Sequence, residues 1–147
     1  MSVARKSEAR LHCDLGGFEG KHVALWGLAF KPTTDDVREA PAFRIIEAVL
    51  KGGGTVAATD PQALETSKER LHFMGIKDGV RLTRDLYDAC QKADALVLCT
   101  EWRQFQSPNV AKLKEVLRGR FVYDGRNIWQ RDVFTEAGFE YCGIGRR

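Results

Sequence analysis

The sequence predicts an α/β protein: a Rossmann-like, doubly wound parallel sheet of about six strands with helices on both faces. Two patterns carry that prediction. Six short apolar runs rich in β-branched and aromatic residues recur along the chain, and helical patterns alternate with them. The length of 147 residues fits one domain, which at this size buries roughly two thirds of its unfolded surface. Right-handed crossovers point to the strand order 3-2-1-4-5-6, with a five-stranded flavodoxin-like order as the alternative.

Taken in order, residues 1–19 form a charged segment set apart from the repeating pattern, and the domain proper is expected over residues 20–147. HVALWGLAF (22–30) supplies the first strand and its outgoing loop. Pro41 suits the first turn of a helix, Ile45, Ile46, Val49 and Leu50 share one face of it, and Gly52 to Gly54 stop it. TVAATD (55–60) is the second strand, and Pro61 and Gly75 bracket the second helix. GVRLT (79–83) and ALVLCT (95–100) are the third and fourth strands, with a helix over DLYDACQKA between them. Pro108 breaks the chain before the helix NVAKLKEVL. RFVYDG (120–125) is the fifth strand, QRDVFTEAG a short helix ending at Gly138, and FEYCGIG (139–145) the sixth strand.

Charged residues make up 29% of the chain and hydrophobic ones 44%, an ordinary globular balance with no long polar tract. A net charge of +3 is too small and dispersed to predict a nucleic-acid partner, although it leaves room for a local anion site. The four cysteines form no CxxC and read as buried free thiols of a reducing cytosol. No apolar stretch approaches the roughly 18 residues of a membrane span, and the first ten residues lack the hydrophobic segment of a signal peptide, so a cytoplasmic protein is expected. His12, His22 and His72 have no carboxylate or cysteine at ligand spacing, and no metal site is predicted.

In a parallel sheet every strand ends on the same edge, and ligands bind there, beside the crevice where the strand order reverses. The informative residues are therefore Phe30 to Arg38, Asp60, Thr100 to Phe105 and Asp124 to Asn127. A dinucleotide fingerprint needs GxGxxG so that a pyrophosphate meets the helix amino terminus directly. Here Gly27 stands alone before a long loop that offers Lys31 and Arg38 in place of further glycines. Asp60 then reads as a turn-forming residue before Pro61 rather than a ribose ligand. Lys31, Arg38 and Arg126 are expected to reach a diphosphate together, lysine as a point charge and arginine as a planar fork. The alternative is that each pairs with a nearby carboxylate, Asp35, Asp36, Glu39 or Asp124. Glu101, Trp102, Arg103 and Phe105 read either as a base-stacking wall or as packing between loop and core. No serine, histidine or cysteine sits in a nucleophile context, so no catalytic residue is assigned within this chain.

Together, GLAFKPTTDDVREAP, TEW with Phe105 following, SPN, DGRNIW and GFEYCGIGR resemble the carboxy-terminal UDP-binding domain of the UDP-glucose/GDP-mannose dehydrogenase family, over about residues 20 to 147. The DGRN element is similar to the UDP-glucose 6-dehydrogenase branch. The resemblance implies an NAD-dependent enzyme that oxidises UDP-glucose twice, to UDP-glucuronate, through a thioester on a cysteine of the central part of the whole protein. It implies that Phe30, Lys31 and Arg126 contact the UDP-sugar, and that Arg38 reaches the pyrophosphate of NAD bound to the other domain. The amino-terminal NAD-binding domain and the central helix with the catalytic cysteine have no counterpart here, and none of the four cysteines matches the nucleophile's motif. Residues 1–19 then read as the end of the inter-domain connection or as added residues. The chain alone is expected to be inactive, with the amino-terminal and central domains as its partners and a homo-oligomer as the whole assembly. The alternative is a free-standing nucleotide-binding or partner-docking module of the same fold. A complete small oxidoreductase ranks last, lacking both a glycine-rich cofactor turn and a catalytic residue.

Overall fold

The computed structural model describes residues 3–29, 31, 34–37 and 40–143, with side chains from Glu8 onward. Phe30 and Arg38, two of the residues singled out above, lie outside the described residues. The elements run α1 (Val3–Leu15), β1 (His22–Trp26), α2 (Pro41–Lys51), β2 (Thr55–Thr59), α3 (Leu64–Phe73), β3 (Val80–Leu82), α4 (Leu86–Ala89), β4 (Ala95–Leu98), α5 (Val110–Val116), β5 (Phe121–Asp124), α6 (Arg131–Glu136) and β6 (Glu140–Gly143). The six strands form one parallel sheet in the order β3-β2-β1-β4-β5-β6, the doubly wound order expected from the sequence rather than the five-stranded alternative.

Position in the sheet explains strand composition. β4, with Ala95, Leu96, Val97 and Leu98 all buried, lies between β1 and β5 and has helices on both faces, so it carries no polar alternation. β3 lies at the edge and tolerates an exposed arginine, Arg81, between partly buried Val80 and Leu82. β1 begins at His22 and ends at Trp26, whose fully buried indole donates to the Leu86 carbonyl and meets Phe105 and Trp129. Burying rings of this size is a main source of core stability.

The helices start where local chemistry dictates. Pro41 is the first residue of α2, where its missing N–H costs nothing. Asp85 caps α4 by accepting from the Tyr87 and Asp88 amides, and Asn109 caps α5 by accepting from Lys112. Two expectations need correction. The second helix begins at Leu64 rather than Pro61, because Asp60 Oδ1 takes the Gln62 and Ala63 amides and holds residues 61–63 as a turn. Of the four cysteines only Cys90 and Cys99 are buried, while Cys142 is half-buried and Cys13, on α1, is exposed. Burial pushes the thiols of Cys90 and Cys99 up to about 12, so both stay protonated at neutral pH.

The segment that the sequence sets apart, residues 1–19, contains α1, which packs on α2. Leu11 is completely buried, Glu8 pairs with Arg44 at 3.4 Å, and the Tyr123 hydroxyl of β5 donates to Asp14. Few apolar residues lie on α1, so its helical period is faint in the sequence.

At the opposite edge from the strand ends, Asp94 ties β1 to the α5–β5 connection. It accepts from the His22 amide at 2.9 Å and from Arg118 Nε and Nη2 at 2.9 and 2.6 Å. Burial works to raise the Asp94 carboxyl, but the bonds from Arg118 and the His22 amide prevail and hold it below the usual carboxylate range. His22 is lowered by its burial and by the nearby positive charge of Arg81. Both folded groups therefore bind protons less readily than their unfolded counterparts, so stability falls as pH falls. The His22 contribution is complete above its unfolded value of about 6.5 and fades below it; that of Asp94 is complete above about 3.9 and fades below that. Thermal melts between pH 8 and pH 3 are expected to show two declines, with His22→Gln diminishing the upper one and Asp94→Asn the lower.

Candidate functional site at the carboxyl edge of the sheet

Three buried polar side chains organise the edge where the strands end. Asp60, directly after β2, is 2% exposed and accepts five hydrogen bonds. Its Oδ2 takes the amides of Leu28 and Ala29 at 2.8 and 3.0 Å and the Trp102 indole at 3.0 Å, while Oδ1 fixes the turn before α3. Thr100, after β4, donates from Oγ1 to the Ala29 carbonyl at 2.6 Å. Asp124, fully buried at the end of β5, accepts from the Arg126 amide at 3.1 Å, and from the Trp129 amide and Tyr141 hydroxyl at 2.7 Å each. Buried carboxylates without such donors would be costly. The turn-forming reading of Asp60 thus holds, and its role extends to the loop after β1 and the loop after β4.

Gly27 is required by packing. Its φ of +104° demands glycine, and a Cβ there would lie 2.6 Å from the Thr100 amide nitrogen, Cβ and Oγ1. The need for glycine here is explained by the close packing of β1's exit against β4's. Trp102 and Phe105, the possible base-stacking wall, are both buried. Trp102 donates to Asp60, and Phe105 packs on Trp26 while its carbonyl accepts from the Trp129 indole at 2.6 Å. Packing is their role.

Each residue of the DGRN turn has a physical reason. Asp124 supplies the buried acceptor, and a Cβ at Gly125 would lie 2.5 Å from the Leu98 carbonyl of β4. Asn127 adopts a left-handed φ of 57°, a conformation asparagine tolerates better than most residues. Arg126, between them, extends to Glu101: Nε donates to Oε2 at 2.7 Å and Nη2 to Oε1 at 3.2 Å. The two side chains are 30% and 29% exposed. Arg126 is therefore not a lone cation, and its partner is a residue of the neighbouring strand's loop rather than one of the four carboxylates considered from sequence. A sequence signal for the pair existed, since strand order alone places the residues after β4 beside those after β5.

Lys31 is exposed in the loop after β1 and forms no ion pair among the described residues. Because β4 stands between β1 and β5, the turns carrying Lys31 and Arg126 leave strands about 10 Å apart, at two strand spacings. Two hollows lie elsewhere: one of about 660 Å³ between α1 and α2, bordered by His12, Phe18 and Arg44, and one of about 560 Å³ bordered by Asp35, Asp36, Arg70 and Phe73. Neither is lined by Lys31 or Arg126.

The class that these features define is a doubly wound α/β domain whose carboxyl edge is built on the buried polar residues Asp60, Thr100 and Asp124 and carries Lys31 and Arg126 in its loops. Comparison with known proteins takes the assignment further. Residues 24–131 match the UDP-glucose/GDP-mannose dehydrogenase family, UDP binding domain, and the chain belongs to this family. It is 44% identical over 131 residues to the UDP-glucose 6-dehydrogenase of Pseudomonas aeruginosa, covering 89% of this chain and 29% of that protein. With the UDP-glucose 6-dehydrogenase of Rhizobium meliloti the identity is 36%, over the same shares of the two chains. Among solved structures, the UDP-glucose dehydrogenase of the archaeon Pyrobaculum islandicum superposes with a TM-score of 0.79 at 30% identity, covering 99% of this chain and 30% of that one. The chain thus spans under a third of the length of these relatives and corresponds to their carboxy-terminal UDP-binding domain. No helix among the described residues is long and apolar enough to cross a membrane.

Proposed function

We propose that this chain is the UDP-sugar-binding portion of an NAD-dependent UDP-glucose 6-dehydrogenase, which converts UDP-glucose to UDP-glucuronate in two successive oxidations. The observation that carries the reading is the placement of the GLAFK loop and the DGRN turn on strands that flank β4, within a chain of this family. In this reading Phe30 and Lys31 contact the UDP-sugar from the first loop and Arg126 does so from the second. Arg38 reaches the NAD pyrophosphate held by the amino-terminal domain.

The division of labour follows from what the chain's own residues offer. Lys31 supplies a mobile ammonium and Arg126 a guanidinium held on one edge by Glu101, so the nucleotide's diphosphate meets one adaptable and one fixed donor. NAD supplies hydride acceptance when bound, chiefly by the domain that precedes this one. The lone Gly27, without GxGxxG spacing after β1, supports that assignment, and the buried, protonated state of Cys90 and Cys99 supports placing the catalytic cysteine outside this chain. The amino-terminal and central domains complete the cleft and exclude water, which strengthens the charged contacts. The whole protein is read as cytoplasmic and homo-oligomeric.

The chain by itself is expected to bind UDP with a Kd of about a millimolar or weaker, since few charged contacts must offset the cost of association. Amide shifts followed by NMR during UDP titration should cluster at residues 28–31, 100–103 and 124–128. Shifts confined to α3 and β3 would overturn the reading. In the whole enzyme, Lys31→Ala and Arg126→Ala are each expected to raise the KM for UDP-glucose about tenfold or more, the loss of a charge-assisted contact. Arg38→Ala should act chiefly on the KM for NAD. The opposite division of effects would refute these roles.

A further inference from the structure

The Arg126–Glu101 pair is bidentate, and both residues stand on rigid backbone. Thr100, the residue before Glu101, is anchored by its hydroxyl to the Ala29 carbonyl, and Trp102, the residue after it, by its indole to Asp60. Arg126 follows Asp124 by two residues, and its own amide is bound by that carboxylate. Both backbone segments are therefore fixed independently of the ion pair. The pair uses one edge of the guanidinium, Nε and Nη2; among the described residues nothing engages Nη1.

An acid beside a cation that must meet a diphosphate is electrostatically unfavourable, because it cancels the charge the ligand needs. Its presence in this geometry calls for a compensating role, and orientation is the one the bonds describe. An unpaired arginine samples many rotamers, and fixing them on binding costs free energy. With Glu101 holding the Nε edge, the remaining Nη edge is presented in one direction before the ligand arrives.

We propose that Glu101 is a positioning residue for the nucleotide diphosphate: by clamping the Nε edge of Arg126 it aims the Nη edge at the ligand. The inference rests on the reading of Arg126 as a UDP-sugar contact. It makes Glu101 part of the binding machinery without contact to the substrate.

The test compares the 147-residue chain with its Glu101→Gln and Glu101→Asp forms. UDP and uridine are titrated by NMR, thermal melts are recorded alongside, and the Arg126 Nε–H resonance is followed without ligand. Glu101→Gln is expected to weaken UDP binding about three- to tenfold, by loss of preorganisation, while any uridine binding and the melting temperature stay near those of the parent. The Nε–H signal should broaden or exchange faster with solvent. Glu101→Asp keeps the charge but withdraws the carboxylate by one methylene, and it should not restore affinity. Unchanged or tighter UDP binding by Glu101→Gln would overturn the inference, since it would make Glu101 a bystander or a mere competitor for the cation. Restored affinity in Glu101→Asp would overturn it too, by assigning the effect to charge alone. If UDP shifts amides of the parent chain elsewhere but leaves those around Arg126 unmoved, the reading of the site itself fails and the inference falls with it, an outcome distinct from a parent that binds there and a variant that matches it.

Discussion

Asp60→Ala should lower the stability of the domain by about 4 kcal/mol, a drop in melting temperature of roughly 10 °C for a domain of this size. Five donors lose their acceptor at once, and those of Leu28, Ala29, Ala63 and Trp102 are on residues shut off from water. An unsatisfied buried donor costs about 1–3 kcal/mol, reduced where the backbone relaxes or water enters. Asp60→Asn is the sharper experiment because it preserves volume while turning one acceptor oxygen into a donor that faces other donors. It should recover less than half of the lost stability. A melting temperature for Asp60→Asn within a degree or two of the parent's would show that the carboxylate is not the joint between the loops after β1, β2 and β4. Under the proposed function the consequence extends to UDP binding, because Leu28 and Ala29 are followed in sequence by Phe30 and Lys31. UDP binding should therefore weaken in both variants even at temperatures where they remain folded.

Gly27→Ala is the second large effect, with an expected loss of about 3 kcal/mol. Two costs combine: a left-handed backbone unfavourable to any side chain, roughly 1–2 kcal/mol, and overpacking of a filled space, about 1–3 kcal/mol. The new methyl would meet the Thr100 main-chain nitrogen as closely as its side chain, 2.6 Å in each case. Thr100→Ala should consequently fail to rescue it. Chemical denaturation of the single and double variants measures both claims, and a double variant as stable as Thr100→Ala alone would show that the side chain, not the backbone, sets the limit. Both variants probe a glycine whose place in the sequence suggests nucleotide contact but whose surroundings assign it to the packing of β1's exit against β4's.

Different parts of the site were legible to different degrees. The DGRN turn and the loop beginning GLAFK could be picked out because turn chemistry is local: a short acceptor, a glycine, a long cation and a residue tolerant of left-handed backbone lie within four positions. Asp60 was legible only as the start of its own turn, since its bonds to Gln62 and Ala63 span two and three residues, whereas those to Leu28 and Trp102 span 32 and 42. Helix α1 escaped notice for another reason. Among its described side chains, its seat rests on the fully buried Leu11 and on polar bonds, Glu8 to Arg44 and Tyr123 to Asp14, and such bonds leave no apolar period to read.

What the sequence determined by itself was the alternation of strands and helices, a strand order with a single five-stranded alternative, and the family motifs at the strand ends. These depend on periodicity, on turn residues acting over a few positions, and on the handedness of crossovers. The tertiary structure alone decided which polar residues at that edge are buried and paired, and with which partner. Thr100 reaches Ala29 across 71 residues, and Glu101 reaches Arg126 across 25. Hydrogen bonds of that range exist only once β4 lies between β1 and β5, so burial and pairing, not residue type, fix what each side chain does.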